Sequence, residues 1–294
     1  MRAGDARVLL TGAGGGIGQA AARALVDAGA AVLLAGRSPA RLAAQARTLL
    51  HETSAAVAPG VEWHAADLAQ PDGVANLARA ASAWGCNVVV HNAGVPGFGR
   101  LEAFTPAEVA EVLHLNLVVP MLLTQALLPG LRAHSTARVI FIGSVLGRLG
   151  LPGYSVYGAS KFGLRGFAEA LRRELADTGV GVQYLGPRST RTGFNSDAAA
   201  HYNRATGTAM DEPHIAARAL VELLHSGAPE RFLGFPEKLA VRLNGLVPAW
   251  LDGAFAKHRT ALPPLAPPPP AALASSPQAP PADADAHPLM HGAP

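Results

Sequence analysis

Between a short apolar run, Val8-Leu9-Leu10-Thr11, and an alanine-rich helical pattern from Ile17 to Ala28 lies the stretch Gly12-Ala13-Gly14-Gly15-Gly16-Ile17-Gly18. Glycines permit a tight turn and let the backbone come close to a ligand. The helix that follows offers free N–H groups and a positive dipole end, which together suit a pyrophosphate. A strand before and a helix after place the turn at the start of a βαβ unit, the context in which such a cluster binds a dinucleotide.

The alternation continues along the chain. Ala31 to Ala35, Val61 to Ala65, Val88 to His91, Val139 to Ile142, Val180 to Leu185 and Phe232 to Phe235 read as further strands. Helical patterns separate them, notably Pro39 to Leu50, Pro106 to Arg132 and Ser155 to Asp177. Strands that are apolar throughout belong to a parallel sheet covered on both faces. The expected fold is therefore α/β: a doubly wound parallel sheet of about seven strands, joined by right-handed crossovers.

This pattern occupies residues 1–237, with a candidate substrate lid at 189–210. A helix-like extension follows at 238–261, with Leu239, Val241, Leu243, Leu246, Leu251 and Phe255, interrupted by Pro248. Packing on the body is the favoured reading; a subunit interface or, last, a membrane surface are the others. Residues 262–294 hold 11 of the 24 prolines and are expected to be disordered or polyproline-like.

A formal charge of +3, scattered arginines and no basic run interleaved with aromatics argue against nucleic-acid binding. The single cysteine, Cys86, excludes an internal disulfide and suits a reducing, cytoplasmic setting. The polar start, Met1 to Arg7, reads as no signal peptide. Leu117 to Leu131 is too short and interrupted for a membrane span, and a buried helix explains it better. The eleven histidines show no ligand spacing, so no metal is expected; His91 and His114 read as core.

Tyr157 and Lys161 stand four apart in a helical stretch, on one face and one turn apart. An ammonium beside a phenol favours the phenolate. A free tyrosine titrates near 10, so neutrality requires roughly 3 units, or about 4 kcal/mol. A phenol so tuned can pass a proton to or from an alcohol or carbonyl oxygen.

Four motifs now stand in order: the glycine turn, Asn92-Ala93-Gly94 after the fourth strand, Ser144 after the fifth, and Tyr157-x-x-x-Lys161. Together they resemble the single-domain branch of the short-chain dehydrogenase/reductase family across residues 5 to 235. The resemblance implies a Rossmann fold and a set of roles. Gly12, Gly14, Gly16, Ile17 and Gly18 would line the dinucleotide phosphates. Asp67 and Leu68 would meet the adenine, with Asp67 as a helix N-cap the alternative. Asn92 and Gly94 would line the cofactor site, Pro187 and Thr192 would lie near the nicotinamide, and Asn116 would hold a water in a proton relay. Ser144 would hold the substrate oxygen, Tyr157 would be the general acid or base, and Lys161 would lower its pKa and bind the nicotinamide ribose. A homodimer or homotetramer through the two long helices is implied as well.

Two local features modify this picture. The position after the second strand where NAD-selective relatives carry an acid aligns to Gly36, and Arg37 follows. This leans to NADP as the preferred cofactor, with NAD the alternative; Arg37 could also stack on adenine or point to solvent. The family's Pro-Gly after the sixth strand is Pro187-Arg188 here. Arg188 is expected to turn outward, the alternative being an approach to an anionic group. The resulting expectation is an oxidoreductase moving a hydride between NADP and a carbonyl or secondary alcohol. Its rivals are a dinucleotide-binding scaffold and, more weakly, a lyase or isomerase using the same cofactor.

Overall fold

Alternate residues of the central strands face opposite sides of one sheet, and helices cover both sides. The computed structural model describes residues 1–52 and 60–264. The strands are β1 (Arg7–Thr11), β2 (Ala31–Gly36), β3 (Val61–Ala65), β4 (Val88–His91), β5 (Ala137–Ile142), β6 (Val180–Gly186) and β7 (Glu230–Phe232). All pair in parallel, in the spatial order β3-β2-β1-β4-β5-β6-β7. The helices are α1 (Gly16–Asp27), α2 (Pro39–Glu52), α3 (Gly73–Trp84), α4 (Pro106–Leu113), α5 (Val119–Arg132), α6 (Ser155–Glu174), α7 (Asp197–Thr206), α8 (Pro213–Ser226), α9 (Glu237–Leu246) and α10 (Ala256–Thr260).

Val8, Leu10, Val32, Leu34, Val88, Val90 and Ile140 pack with α1, α2 and α8 on one face. Leu9, Leu33, Val89, Val139, Phe141 and Val182 pack with α3, α5 and α6 on the other. Burial on both faces is the reason these strands carry almost no polar residues. The strand order reverses between β1 and β4, and the carboxyl edge at such a reversal is the usual ligand position in these sheets.

The stretch from Pro106 to Arg132 is one continuous helix, and the only one among the described residues long and apolar enough to cross a membrane. Its Val112, Val119, Leu123, Leu127 and Leu131 are buried within the fold. Thr105 starts it with a capping box to Glu108, and a π-turn at His114–Val118 joins its two α-helical parts. His91 is buried, stacks on Phe141 and pairs with Thr124 at 2.8 Å. Burial pushes its pKa down to about 3, so it is a neutral core residue, whereas His114 is half-buried. Cys86 is buried and its thiol is pushed up to about 11.

The seventh strand lies at 230–232 rather than the expected 232–235, because the chain turns at Gly234, with φ +88°. In the C-terminal extension α9 ends before Pro248, as its proline implied, and a short 3-10 stretch and α10 follow. Val241 packs against Val145, Leu146 and Leu149, while Leu239 on the same helix is 60% exposed. The proline-rich tail from Leu265 onward lies outside the described residues.

Urea unfolding separates these environments. Leu123→Ala, at a fully buried position, is expected to cost about 3 kcal/mol. Leu239→Ala should stay within about 0.5 kcal/mol of the parent.

Candidate active site

The first wall of the candidate site is the glycine turn. Gly12 has φ +64°, and a Cβ there would lie 2.8 Å from Ala93 Cα. A Cβ on Gly18 would overlap the Gly12 carbonyl, whereas Gly14 faces open space. Gly15 caps α1 without a side-chain hydrogen bond, so the first N–H groups of the helix stay free. Ile17, half-buried in the first turn of α1, packs on the core. Asn92 braces the turn by donating from Nδ2 to the carbonyls of Thr11 at 3.0 Å and Gly12 at 3.1 Å. Thr11 Oγ1 accepts from the N–H groups of Asn92 and Ala93 in return. A backbone bare of side chains at Gly14, with free N–H groups behind it, fits a dinucleotide pyrophosphate.

Ser144 lies just past β5. Its Oγ accepts from Leu146 N at 3.1 Å, starting a 3-10 turn. Tyr157 and Lys161 lie on α6, which crosses the same edge. Lys161 is buried, donates to the Ile142 carbonyl at 3.4 Å, and holds its ammonium 5.5 Å from the centre of the Tyr157 ring. Burial pushes its pKa down to about 8.

The expectation that Lys161 lowers the Tyr157 pKa is not met in the folded site. Burial pushes the Tyr157 phenol up, the nearby Tyr184 and Tyr154 add to this, and a hydrogen bond with Ser144 opposes it. Desolvation of the phenolate outweighs an ammonium lying over the ring rather than at the oxygen.

Asn116 sits in the π-turn and is buried. Its Oδ1 accepts from Val95 N at 2.8 Å, and its Nδ2 donates to the Val95 carbonyl at 3.0 Å and to Ser160 Oγ at 3.3 Å. Ser160 in turn donates to the Tyr157 carbonyl at 2.6 Å. A Cβ on Gly94 would lie 2.6 Å from Asn116 Oδ1, so Gly94 makes room for this amide. The asparagine thus ties the loop after β4 to α6, and the π-turn accounts for a polar residue inside a long apolar helix.

Along the same edge Arg37 is exposed after β2. Asp67 accepts from Ala69 N at 3.1 Å in a local turn, well before α3 begins at Gly73, and so does not cap that helix. It lines an open cleft of about 710 Å³ together with His64, Ala65 and Ala66. The Leu68 side chain belongs to the core.

Pro187 accepts from Val145 N at 2.9 Å. Thr192 closes against the glycine turn, where a Cβ on Gly16 would overlap it. Arg188 does not turn outward. It pairs with Asp211 at 2.7 Å and Glu237 at 3.4 Å, which hold its guanidinium above its ordinary pKa, the Asp211 hydrogen bond first. Asp211 also bonds through its backbone to Ser189 and Arg191. The two ends of the lid are therefore fastened together and to α9.

Sequence reasoning missed the part that Phe98 and Tyr154 play in an aromatic wall, and one buried phenol. Phe194 stands edge-on to Tyr157 with ring centres 6.2 Å apart. Tyr154, Phe98 and Tyr202 pack on one another beside it. Tyr184 bonds to the backbone of Ser144 at 3.0 Å. Among the described residues no group of three His, Cys, Asp or Glu side chains is placed to hold a metal ion.

A family model described as short chain dehydrogenase matches residues 6–203. "Dehydrogenase/reductase SDR family member 7B" of Bos taurus is 31% identical over 226 residues, 74% of this chain and 68% of that protein. "Ketoacyl reductase HetN" of Nostoc is 30% identical over 224 residues, 76% of each. Among solved structures, a short-chain dehydrogenase from Sphingobium yanoikuyae in complex with NADPH superposes with TM-score 0.68 at 26% identity. It covers 84% of this chain and 94% of its own. One from Burkholderia cenocepacia in complex with NADP gives 0.71 at 26%, covering 81% and 100%.

Lys161 supplies a stability test. Its folded pKa of about 8 lies below its ordinary 10.5, so between those values the unfolded chain binds the extra proton and stability rises with pH. Lys161→Met should be more stable than the parent at pH 7, by on the order of 3 kcal/mol. Thermal melts at increasing pH should show that gain shrinking from about pH 8 upward.

Proposed function

From the chain's membership of the short-chain dehydrogenase family, shown by the match over residues 6–203, we propose that it is an NADP-preferring carbonyl reductase. It would interconvert a ketone and a secondary alcohol. The observation that carries this reading is the Tyr157 phenol enclosed beside Ser144, with the buried ammonium of Lys161 5.5 Å from its ring centre. NADPH, when bound, supplies the hydride delivered to the carbonyl carbon.

Ser144 Oγ donates to the substrate oxygen and holds it beside the phenol. Tyr157, its pKa pushed up by burial, is protonated at neutral pH and donates that proton to the oxygen as the alcohol forms. Lys161, charged below about pH 8, favours the phenolate left behind. It also binds the nicotinamide ribose. Asn116 keeps the loop after β4 seated on α6 and belongs to the path that returns the proton.

Gly12, Gly14, Gly16, Ile17 and Gly18 hold the phosphates, Asp67 and Leu68 the adenine, and Asn92, Gly94, Pro187 and Thr192 the nicotinamide end. Arg37, exposed and with no acid at Gly36, meets a 2′-phosphate. Phe194, Tyr154 and Phe98 favour a ketone with apolar substituents. Val118, Leu122 and Phe162, exposed on the long helices at 37%, 42% and 42%, support a homodimer or homotetramer. A cytoplasmic setting suits the reduced, buried Cys86.

Purified protein supplied with NADPH and a panel of ketones and 3-oxoacyl thioesters tests the reaction. Tyr157→Phe should lose about 1,000-fold or more in kcat while NADPH affinity holds. No turnover across the panel by folded parent protein would instead leave a dinucleotide-binding scaffold. For the cofactor, Gly36→Asp should place a carboxylate against the 2′-phosphate and shift the ratio of kcat/KM for NADPH over NADH by at least about tenfold toward NADH. An unchanged ratio counts against the assigned 2′-phosphate site.

A further inference from the structure

We propose that Tyr184 is a positioning residue for Ser144: its hydroxyl pins the Ser144 peptide so that the serine Oγ is held against Tyr157. The proposal rests on the catalytic reading of Ser144 given above.

The need for such a pin follows from the sheet. Past β5 the N–H groups of Gly143 and Val145 bond to β6 and its continuation, at the carbonyls of Leu185 (2.7 Å) and Pro187 (2.9 Å). Amides alternate in direction along a strand, so the Ser144 peptide points the other way, toward β4. That strand has already ended, since its last pairing is His91 with Phe141. A buried N–H without a partner is costly and lets the segment shift.

Tyr184 meets this need from β6. Its Oη accepts from Ser144 N at 3.0 Å and donates to the Ser144 carbonyl at 3.0 Å. The carbonyl also accepts from Gly147 N, but among the described residues Ser144 N–H has Tyr184 as its one partner. The phenol reaches this point only because two neighbours lack side chains. A Cβ on Gly143 would overlap the Tyr184 ring, and one on Gly147 would overlap its hydroxyl. The ring is 2% exposed and packs on Phe232, with centroids 5.8 Å apart.

With the peptide pinned, the bond from Leu146 N to Ser144 Oγ at 3.1 Å fixes the remaining torsion. Both freedoms that could carry the hydroxyl away from Tyr157 are thereby removed. Tyr184 itself touches neither the substrate nor the proton; it acts through Ser144. Reacting groups must hold their geometry to within about 0.5 Å, which a strand end with a free peptide does not guarantee.

Tyr184→Phe removes the hydroxyl and keeps the ring against Phe232. The variant is expected to lose about 10- to 100-fold in kcat for ketone reduction, with KM for ketone and the NADPH dissociation constant within about threefold of the parent. Its pH–rate profile should also shift, because a Ser144 free to move no longer faces the Tyr157 phenol from one fixed place. A lower melting temperature with unchanged kcat and pH profile would show that the residue is core packing alone, and would overturn the proposal.

Hydrogen–deuterium exchange gives a readout independent of turnover. The Ser144 amide should exchange at least about tenfold faster in Tyr184→Phe while Val139 to Ile142 stay protected; unchanged protection at Ser144 overturns the pinning. Ser144→Ala separates the two levels. If that variant keeps full turnover, the catalytic reading of Ser144 fails and the positioning role fails with it. A parent protein without turnover overturns the reaction and leaves the exchange result to decide the pin.

Discussion

An ammonium buried beneath the end of β5 is the constraint to which the rest of the site is fitted. Lys161 is only 6% exposed and its described hydrogen bond is to one strand carbonyl. Burial of a charge is tolerated when neighbouring dipoles face it and little can move. The strand end, α6 and the loop after β4 are accordingly locked to one another. Asn116 joins the loop to α6 through Ser160, and Tyr184 joins β6 to β5 through Ser144. Destabilisation at the site is thus carried by a rigid surround, and the same rigidity keeps hydroxyl and phenol in register.

Much of this was legible before any coordinate. Strands buried on both faces must be apolar throughout, so Leu33, Val89 and Ile140 announced a covered parallel sheet. The glycine turn was equally local, because its flanking strand and helix lie within a few residues of it. Ser144, Tyr157 and Lys161 could be named because the order of motifs along the chain resembles that of the short-chain dehydrogenase family.

What stayed hidden depends on partners far away in sequence. Tyr184 reads as one more aromatic in a strand until Gly143 and Gly147 are seen to leave space for it. Arg188 looked like a side chain for solvent because Asp211 and Glu237 lie 23 and 49 residues further on. Asn116 gave a hint, being a poor helix former in an apolar helix, but the π-turn that directs it inward has no reliable sequence signature. The Tyr157 pKa went the wrong way because spacing reports proximity to Lys161 and says nothing of how thoroughly the phenolate loses water.

The bracing of the glycine turn has a consequence for how the molecule comes into being. Gly12 packs on Ala93, and Thr11 receives N–H groups from residues some 81 positions later in the chain. β1, α1 and β2 can gather early because their contacts are near in sequence, but the cradle is unfinished until β4 inserts beside β1. Non-local parallel pairing of this kind is a slow step in folding. A ligand that uses this cradle would therefore meet it only on chains whose two halves have already joined. Mass action by a ligand seated there would then favour that joined population over partly assembled forms.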